Sequence, residues 1–265
     1  MTAELRCARL GEVPYEEARA LQKRLESARQ GDEIEDVLLL LEHAPVYTKG
    51  RRTQPGELPM GEDWYRMQGV EVCDTDRGGR VTYHGPGQLV GYPIMSLKHL
   101  QPAAPGGEAE DVRRIDVHEY VRRMERVMIE SLGAYGVAAG VIAGLTGVWA
   151  RESGPFPEGT RESEVSGEVL SGALRKIGSI GVHVSRGVTT HGFAINVNND
   201  LQPFEWIVPC GIDGCRMTSL SRELGAEQPM DEFMDVVTER FCAVYGRRAV
   251  EAELARLAGD GAAVA

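Results

Sequence analysis

The sequence lacks the runs and pairings that mark membrane, secreted and disulfide-bonded proteins. No apolar run approaches the roughly 20 residues that a membrane helix needs. The N-terminus has no basic stretch followed by an apolar one, so we expect no signal peptide. The chain has five cysteines, without CxxC spacing. This argues against a disulfide framework or a zinc ribbon, and we predict a cytoplasmic protein without membrane contact.

Other absences exclude further classes of protein. The formal net charge of −11 argues against sequence-independent binding of nucleic acid, which needs a basic surface. The chain has no GxxxxGK[ST] phosphate loop, no HExxH motif and no cluster of histidines and carboxylates, so we expect no metal site. A length of 265 residues suits one large domain with insertions.

Glycine, in contrast, is concentrated in the stretch from Arg77 to Ile94. Five glycines, two prolines, two arginines and one histidine surround two short β-prone runs there. Paired glycines let a backbone approach a ligand closely and adopt angles that a Cβ forbids. We therefore predict a backbone cradle for an extended ligand, with His84 at its end.

Hydrophobic periodicity and turn residues predict a chain that mixes helices and strands. Helices are expected at 14–31, 116–135 (with Asp116 as its N-cap) and 230–245. Strands are expected at 36–41, 70–73, 88–96, 176–183 and 188–197. Two polar segments, 101–114 and 152–172, interrupt this pattern as flexible insertions. The second precedes Lys176 and is either a lid or a tolerated surface loop.

Cys210 lies between Pro209 and Gly211, where a β-prone run ends in a turn. Such a turn suits a nucleophile whose neighbouring amides bind an oxyanion, although a free cysteine is more often a small buried hydrophobe. A useful thiolate needs a nearby cation or base. The candidates are Lys176, His84 and His191. Considered alone, Lys176 is typical of a solvated charge at a strand end and His191 of a structural histidine.

Taken together, three blocks resemble the lipoyl(octanoyl) transferase family. They are Arg77–Pro93, then Lys176–Gly181 with His191–Val197, and Pro209-Cys-Gly211. The resemblance covers about residues 35 to 225. It implies an α/β (α+β) fold with a mixed β-sheet core flanked by helices, similar to the catalytic domains of biotin and lipoate protein ligases. Val208 stands where some members have asparagine.

The resemblance also implies an activity and partners. Family members move an octanoyl group from acyl carrier protein to a lysine on the lipoyl domains of oxo-acid dehydrogenase complexes and on the glycine cleavage H protein. This is the first step of endogenous lipoate synthesis. No ATP and no metal are implied. Since acyl carrier proteins are acidic, we predict a basic patch from Lys49, Arg51, Arg52, Arg77 and Arg80.

Carried over residue by residue, Cys210 matches the nucleophile that forms a thioester, and Lys176 the lysine that assists it. The substrate contacts fall on Arg77, Gly78, Gly79, Arg80, Val81, Thr82, Tyr83, His84, Ser179, Ile180, Gly181, Gly192, Phe193 and Ala194. Two alternatives remain. An ATP-dependent lipoate or biotin ligase would need no cysteine nucleophile. A non-catalytic acyl-binding protein would bind without turnover.

Overall fold

The computed structural model describes residues 3–100, 116–151, 154, 156, 159, 161–212 and 214–253. The strands in this part of the chain are β1 (Ala3–Glu12), β2 (Asp36–Glu42), β3 (Val46–Lys49), β4 (Glu71–Asp74), β5 (Thr82–His84), β6 (Gln88–Ile94), β7 (Ala139–Ile142), β8 (Leu145–Arg151), β9 (Leu174–Ser185), β10 (Val188–Asn196) and β11 (Arg247–Glu251). The helices are α1 (Tyr15–Gln30), α2 (Glu62–Met67), α3 (Val117–Gly133), α4 (Glu162–Ser171), α5 (Gln202–Glu205), α6 (Leu220–Leu224) and α7 (Met230–Tyr245).

The main sheet has the strand order β11-β1-β2-β6-β10-β9-β8-β7. Its first three strands are parallel and the remaining pairs are antiparallel. The β2 strand lies near the centre, and Val37 to Leu41 are all buried. Burial on both faces explains why this strand is a continuous apolar run rather than an alternating one. The mixed sheet confirms the predicted fold class.

Helices pack on both faces of this sheet. On one face, Ala18, Leu21 and Leu25 of α1 lie in a cluster with Leu39 and Leu41. On the other face, α3 and α7 contribute buried side chains to the largest core cluster. The Asp116 side chain accepts a hydrogen bond from the Glu119 amide at 2.7 Å, which caps α3 as the sequence predicts. A smaller sheet, β4-β3-β5, carries Thr82–His84 from the middle of the glycine-rich stretch.

The predicted helices and strands are found, with ends shifted by a few residues. The segment 101–114 lies outside the described residues. The segment 152–172 is described mainly from residue 161 onward, and there it forms α4, with Val165 and Val169 buried. This half of the predicted flexible insertion is therefore a packed helix. The sequence patterns missed β1, β3, β7, β8 and β11. Of these, β3 is short, and β7 and β11 are short strands at the two edges of the main sheet.

Candidate active site

A cavity of about 1180 Å³ lies against β9 and β10. Twelve of the fourteen predicted substrate contacts line it: Arg77, Gly78, Gly79, Arg80, Thr82, His84, Ser179, Ile180, Gly181, Gly192, Phe193 and Ala194. Lys176 and Gly211 line it as well. Segments far apart in the sequence thus meet at one concave site, which is the usual form of a small-molecule site.

Small residues on the two strands make room for a chain-like ligand. Ser179 pairs with Ala194 across the strands, and Gly181 pairs with Gly192. Directly opposite residues share one face of the sheet, so these two pairs form a shallow trench. A Cβ at Gly192 would collide with the Gly91 carbonyl oxygen. Close packing of the backbone therefore requires glycine at this position.

The Arg77–Gly79 segment runs along the edge of β9. The Gly78 amide donates to the Val182 carbonyl at 2.9 Å. The Arg77 guanidinium is buried and donates to the Thr48 carbonyl at 2.6 Å and to the Thr48 hydroxyl at 2.7 Å. Arg77 thus ties the glycine segment to β3. Gly79 has a φ of +89°, a conformation that favours glycine.

Lys176 is buried, with only 1% of its surface exposed. Its ammonium donates to the Thr146 carbonyl at 2.9 Å and lies 5.7 Å from the centroid of the Trp149 ring. The interpretation of Lys176 as a solvated charge at a strand end is therefore wrong. Gly147 allows this arrangement, because a Cβ there would be 2.8 Å from Lys176 Cε. The lysine is held by the backbone of β8 and faces the cavity.

Cys210 lies in a 3-10 turn formed by Pro209–Gly211. Its side chain is outside the described part of the structure. Gly211 has a φ of +68°, and a Cβ there would collide with the Arg80 guanidinium. Arg80 is held by Glu57 at 2.7 Å, and the Glu57 carbonyl accepts from the Val208 amide at 3.0 Å. Glu57 therefore joins the glycine-rich stretch to the Pro-Cys-Gly turn.

Comparison with known proteins identifies the family. A family model described as the lipoyl protein ligase A/B catalytic domain matches residues 14–242. An octanoyltransferase from Koribacter versatilis (strain Ellin345) is 42% identical over 236 residues, which are 89% of this chain and 82% of that protein. An octanoyltransferase from Mycobacterium sp. (strain KMS) is 44% identical over 250 residues, 94% of this chain and 89% of that protein. The chain belongs to the octanoyltransferase family.

As a member of this family the chain is an acyltransferase. A solved structure of a bipartite lipoate protein ligase from Thermoplasma acidophilum has a TM-score of 0.63 and 17% identity, covering 97% of this chain and 91% of that one. This likeness shows the fold, and it confirms the expected similarity to lipoate protein ligases.

Two predicted contacts of the octanoyltransferase site lie elsewhere. Val81 and Tyr83 alternate with Thr82 and His84 along the chain, and their side chains point to the opposite face. Both pack in a separate cluster with Tyr47 and other buried residues beside the small sheet, and neither lines the cavity. Val81 and Tyr83 therefore serve in the family motif to pack β5 against this cluster, rather than to line the cavity.

His84 is neutral at physiological pH. Burial lowers the pKa of His84 to about 3. Its Nδ1 lies 2.6 Å from Gln88 Oε1, and the Gln88 amide nitrogen donates to Asn196 Oδ1 at 2.9 Å. Because Gln88 Oε1 is then an acceptor, Nδ1 carries the hydrogen. A neutral ring of this kind does not supply the cation that a thiolate needs.

His191 is buried in the middle of β10 and also lines the cavity. Its Nε2 donates to Asp76 Oδ1 at 2.7 Å. This hydrogen bond holds the pKa of the Asp76 carboxyl well below its usual range, with Lys23 adding to the effect. Burial lowers the pKa of His191, so the pair consists of a neutral imidazole and a carboxylate. A φ of +56° at His191 turns its side chain out of the regular alternation.

Several lining residues were not singled out from the sequence. Tyr15, Tyr92 and Glu125 all line the cavity. The pKa of Glu125 is raised, because the effect of burial outweighs the opposing effect of the nearby charge of Lys176. The sequence did not predict that Thr146 and Gly147 hold Lys176, because a single glycine in an apolar run indicates no particular role. Only the β8–β9 pairing brings it to the lysine.

The described residues contain no group of three or more His, Cys, Asp or Glu side chains placed to hold a metal ion. Among them, no helix combines the length and apolar character that a membrane crossing requires.

Proposed function

We propose that this octanoyltransferase transfers an octanoyl group from acyl carrier protein to the target lysine of lipoyl domains, through a thioester on Cys210. The acceptors are the lipoyl domains of oxo-acid dehydrogenase complexes and the glycine cleavage H protein. The observation that carries the proposal is the buried Lys176 ammonium in the same cavity as Gly211, the residue after Cys210. A buried cation next to a cysteine favours its thiolate.

In the first half of the reaction, the Cys210 thiolate attacks the carbonyl carbon of the octanoyl thioester. Backbone amides of the Pro209–Gly211 turn and of the glycine-rich segment stabilise the oxyanion. The bond between the carbonyl carbon and the carrier's sulfur then breaks. Lys176 gives its proton to the departing thiolate, and the octanoyl group remains on Cys210.

In the second half, the amine of the target lysine attacks the thioester. Lys176, now neutral, accepts the proton that the amine loses, and the Cys210 thiolate departs. The product is an amide, and both Lys176 and Cys210 return to their starting forms. Thioester to thioester to amide runs downhill, so the proposal requires neither ATP nor a metal.

Three of the five basic residues predicted to dock the acidic carrier are buried or already ion-paired. Lys49 pairs with Glu62 and Asp74, Arg77 is buried, and Arg80 pairs with Glu57. Arg51 and Arg52 remain exposed and have no ion pair among the described residues, and Arg52 lines the cavity. We therefore assign carrier docking to these two arginines.

The test is transfer by the purified protein from octanoyl-acyl carrier protein to a lipoyl domain in the absence of nucleotide. Mass spectrometry of the lipoyl domain should show one octanoyl group on its lysine. A parallel reaction contains free octanoate and ATP in place of the carrier. Modification only in that second reaction would identify an ATP-dependent ligase and overturn the proposal, and binding without modification in either would identify a non-catalytic protein.

A further inference from the structure

The peptide group between Thr146 and Gly147 lies between two side chains of opposite charge. Its carbonyl accepts a hydrogen bond from the Lys176 ammonium at 2.9 Å. Its N–H donates to Glu125 Oε1 in a long hydrogen bond of 3.5 Å. In a trans peptide the C=O and N–H bonds point in opposite directions within one plane. The cation is therefore at the negative end of the peptide dipole and the carboxylate at its positive end.

Glu125 is half-buried on α3 and lines the cavity. It forms no ion pair among the described residues. Burial raises the pKa of its carboxyl, and three groups oppose this effect. They are the Gly147 amide on β8, the Arg122 guanidinium on α3 and the Lys176 ammonium on β9. The carboxylate thus adds negative charge close to Lys176 without direct contact with its ammonium.

The backbone alone does not fix the direction of this peptide. Gly147 has a φ of +118°, and glycine adopts positive and negative φ about equally readily. The pairing of β8 with β9 begins at Val148, so the peptide lies just before the paired residues. Groups that bind its two ends therefore decide where its carbonyl points. Glu125 binds one end, and Lys176 binds the other.

We propose that Glu125 is a positioning residue for Lys176. Its carboxylate holds the peptide between Thr146 and Gly147 with the carbonyl toward the ammonium, and its charge stabilises the positive charge of Lys176 through that peptide. Glu125 lies outside the three blocks that resemble the family. The inference rests on the proposed function for the task of Lys176, which must carry a proton when the carrier's thiolate departs.

The first experiment measures kcat/KM against pH for the wild type and Glu125→Gln. Glutamine keeps the oxygen that accepts from the Gly147 amide and removes only the charge. The two charges are at most about 9 Å apart across the peptide. Removing one should move the alkaline limb of the profile to lower pH by roughly 0.4 to 1.5 pH units, with kcat at the optimum within about threefold of the wild type.

Glu125→Ala removes the charge and the acceptor together. It should show the same shift of the alkaline limb, and its kcat should fall by about 3- to 10-fold because the peptide is no longer held. Glu130→Gln is the matched control on the same helix. Glu130 pairs with Arg126 at 2.6 Å and does not line the cavity, so the pH profile should be unchanged.

The second experiment needs no turnover. Acetic anhydride acetylates only the neutral amine, and peptide mass spectrometry measures the acetylation of Lys176 as a function of pH. Acetylation should begin at lower pH in Glu125→Gln, by the same interval as the kinetic shift. A shift in acetylation without octanoyl transfer, or without a shift in kcat/KM, would overturn only the proposed function. Identical acetylation curves for the wild type and Glu125→Gln would overturn the positioning role of Glu125.

Discussion

Replacing Gly147 with alanine tests whether the backbone of β8 holds Lys176 in position. Gly147 has a φ of +118°, and a Cβ there would lie 2.5 Å from the Gly178 carbonyl oxygen and 2.8 Å from Lys176 Cε. Real Cβ atoms do not approach neighbours so closely, so either β9 or the lysine side chain must move. The substitution adds a single methyl group and changes no charge.

The expected cost has two parts. Holding alanine at a positive φ costs about 1–3 kcal/mol. Inserting a methyl group into a filled site costs about 1–3 kcal/mol more. The free energy of unfolding should therefore fall by roughly 2–6 kcal/mol, which many domains of this size survive. A displacement of Lys176 of about 1 Å should lower kcat by up to roughly 100-fold.

Gly246→Ala is the matched control. Gly246 caps α7 with a φ of +63°, and a Cβ there would have no atom within 4 Å. Only the backbone strain applies, about 1–2 kcal/mol, and kcat should be unchanged. Urea unfolding measures the free energy of unfolding, and steady-state octanoyl transfer measures kcat. If Gly147→Ala were as stable and as active as Gly246→Ala, the crowding around Lys176 would be refuted.

Three further predictions concern charge. Lys176→Met should lower kcat by roughly 10²- to 10⁴-fold. The free energy of unfolding in urea should stay the same or rise, because a buried charge is removed. A variant with lower stability and normal kcat would show that Lys176 has only a structural role. Burial lowers the pKa of His43 to about 4, below its usual value of about 6.5 when unfolded, so the unfolded state takes up the proton first as pH falls. The contribution of neutral His43 to the free energy of unfolding should be complete above about pH 6.5 and should decline toward pH 4 by up to about 1.4 kcal/mol per pH unit. The urea midpoint of His43→Gln should therefore fall less steeply with decreasing pH than that of the wild type. Charge reversal at Arg51 and Arg52 should lower kcat/KM for the carrier substrate by about tenfold at low salt and only slightly at high salt. Charge reversal at the exposed Arg24 should leave kcat/KM unchanged at both salt concentrations.

The sequence predicts those helices, strands and turns that are determined by neighbouring residues in the chain. Asp116 and the apolar spacing after it are sufficient to predict α3. The apolar run of β2 and the glycine-rich stretch are similar cases. Twelve of the residues that match the family motifs line one cavity, and the glycines among them are recognisable from the sequence because they permit close backbone packing.

The remainder depends on contacts between distant segments. The parallel pairing of β1 with β11 joins the two ends of the described chain, and no local pattern predicts it. The burial of Lys176 follows from Trp149 and Gly147 on β8, which precede it by 27 and 29 residues. Tyr15 lines the cavity only because α1 packs on the face of the sheet that carries Tyr92. Such features require the assembled sheet.

The most direct test of the central claim is the intact mass of the enzyme after brief incubation with octanoyl-acyl carrier protein, without a lipoyl domain. The account predicts one added octanoyl group on the wild type, located on Cys210 by peptide mapping and released by hydroxylamine as a thioester. Cys210→Ala should remain unmodified, and Lys176→Met should acquire the group more slowly. An unmodified wild type that still transfers octanoyl groups, or an adduct that persists in Cys210→Ala, would contradict the Cys210 thioester.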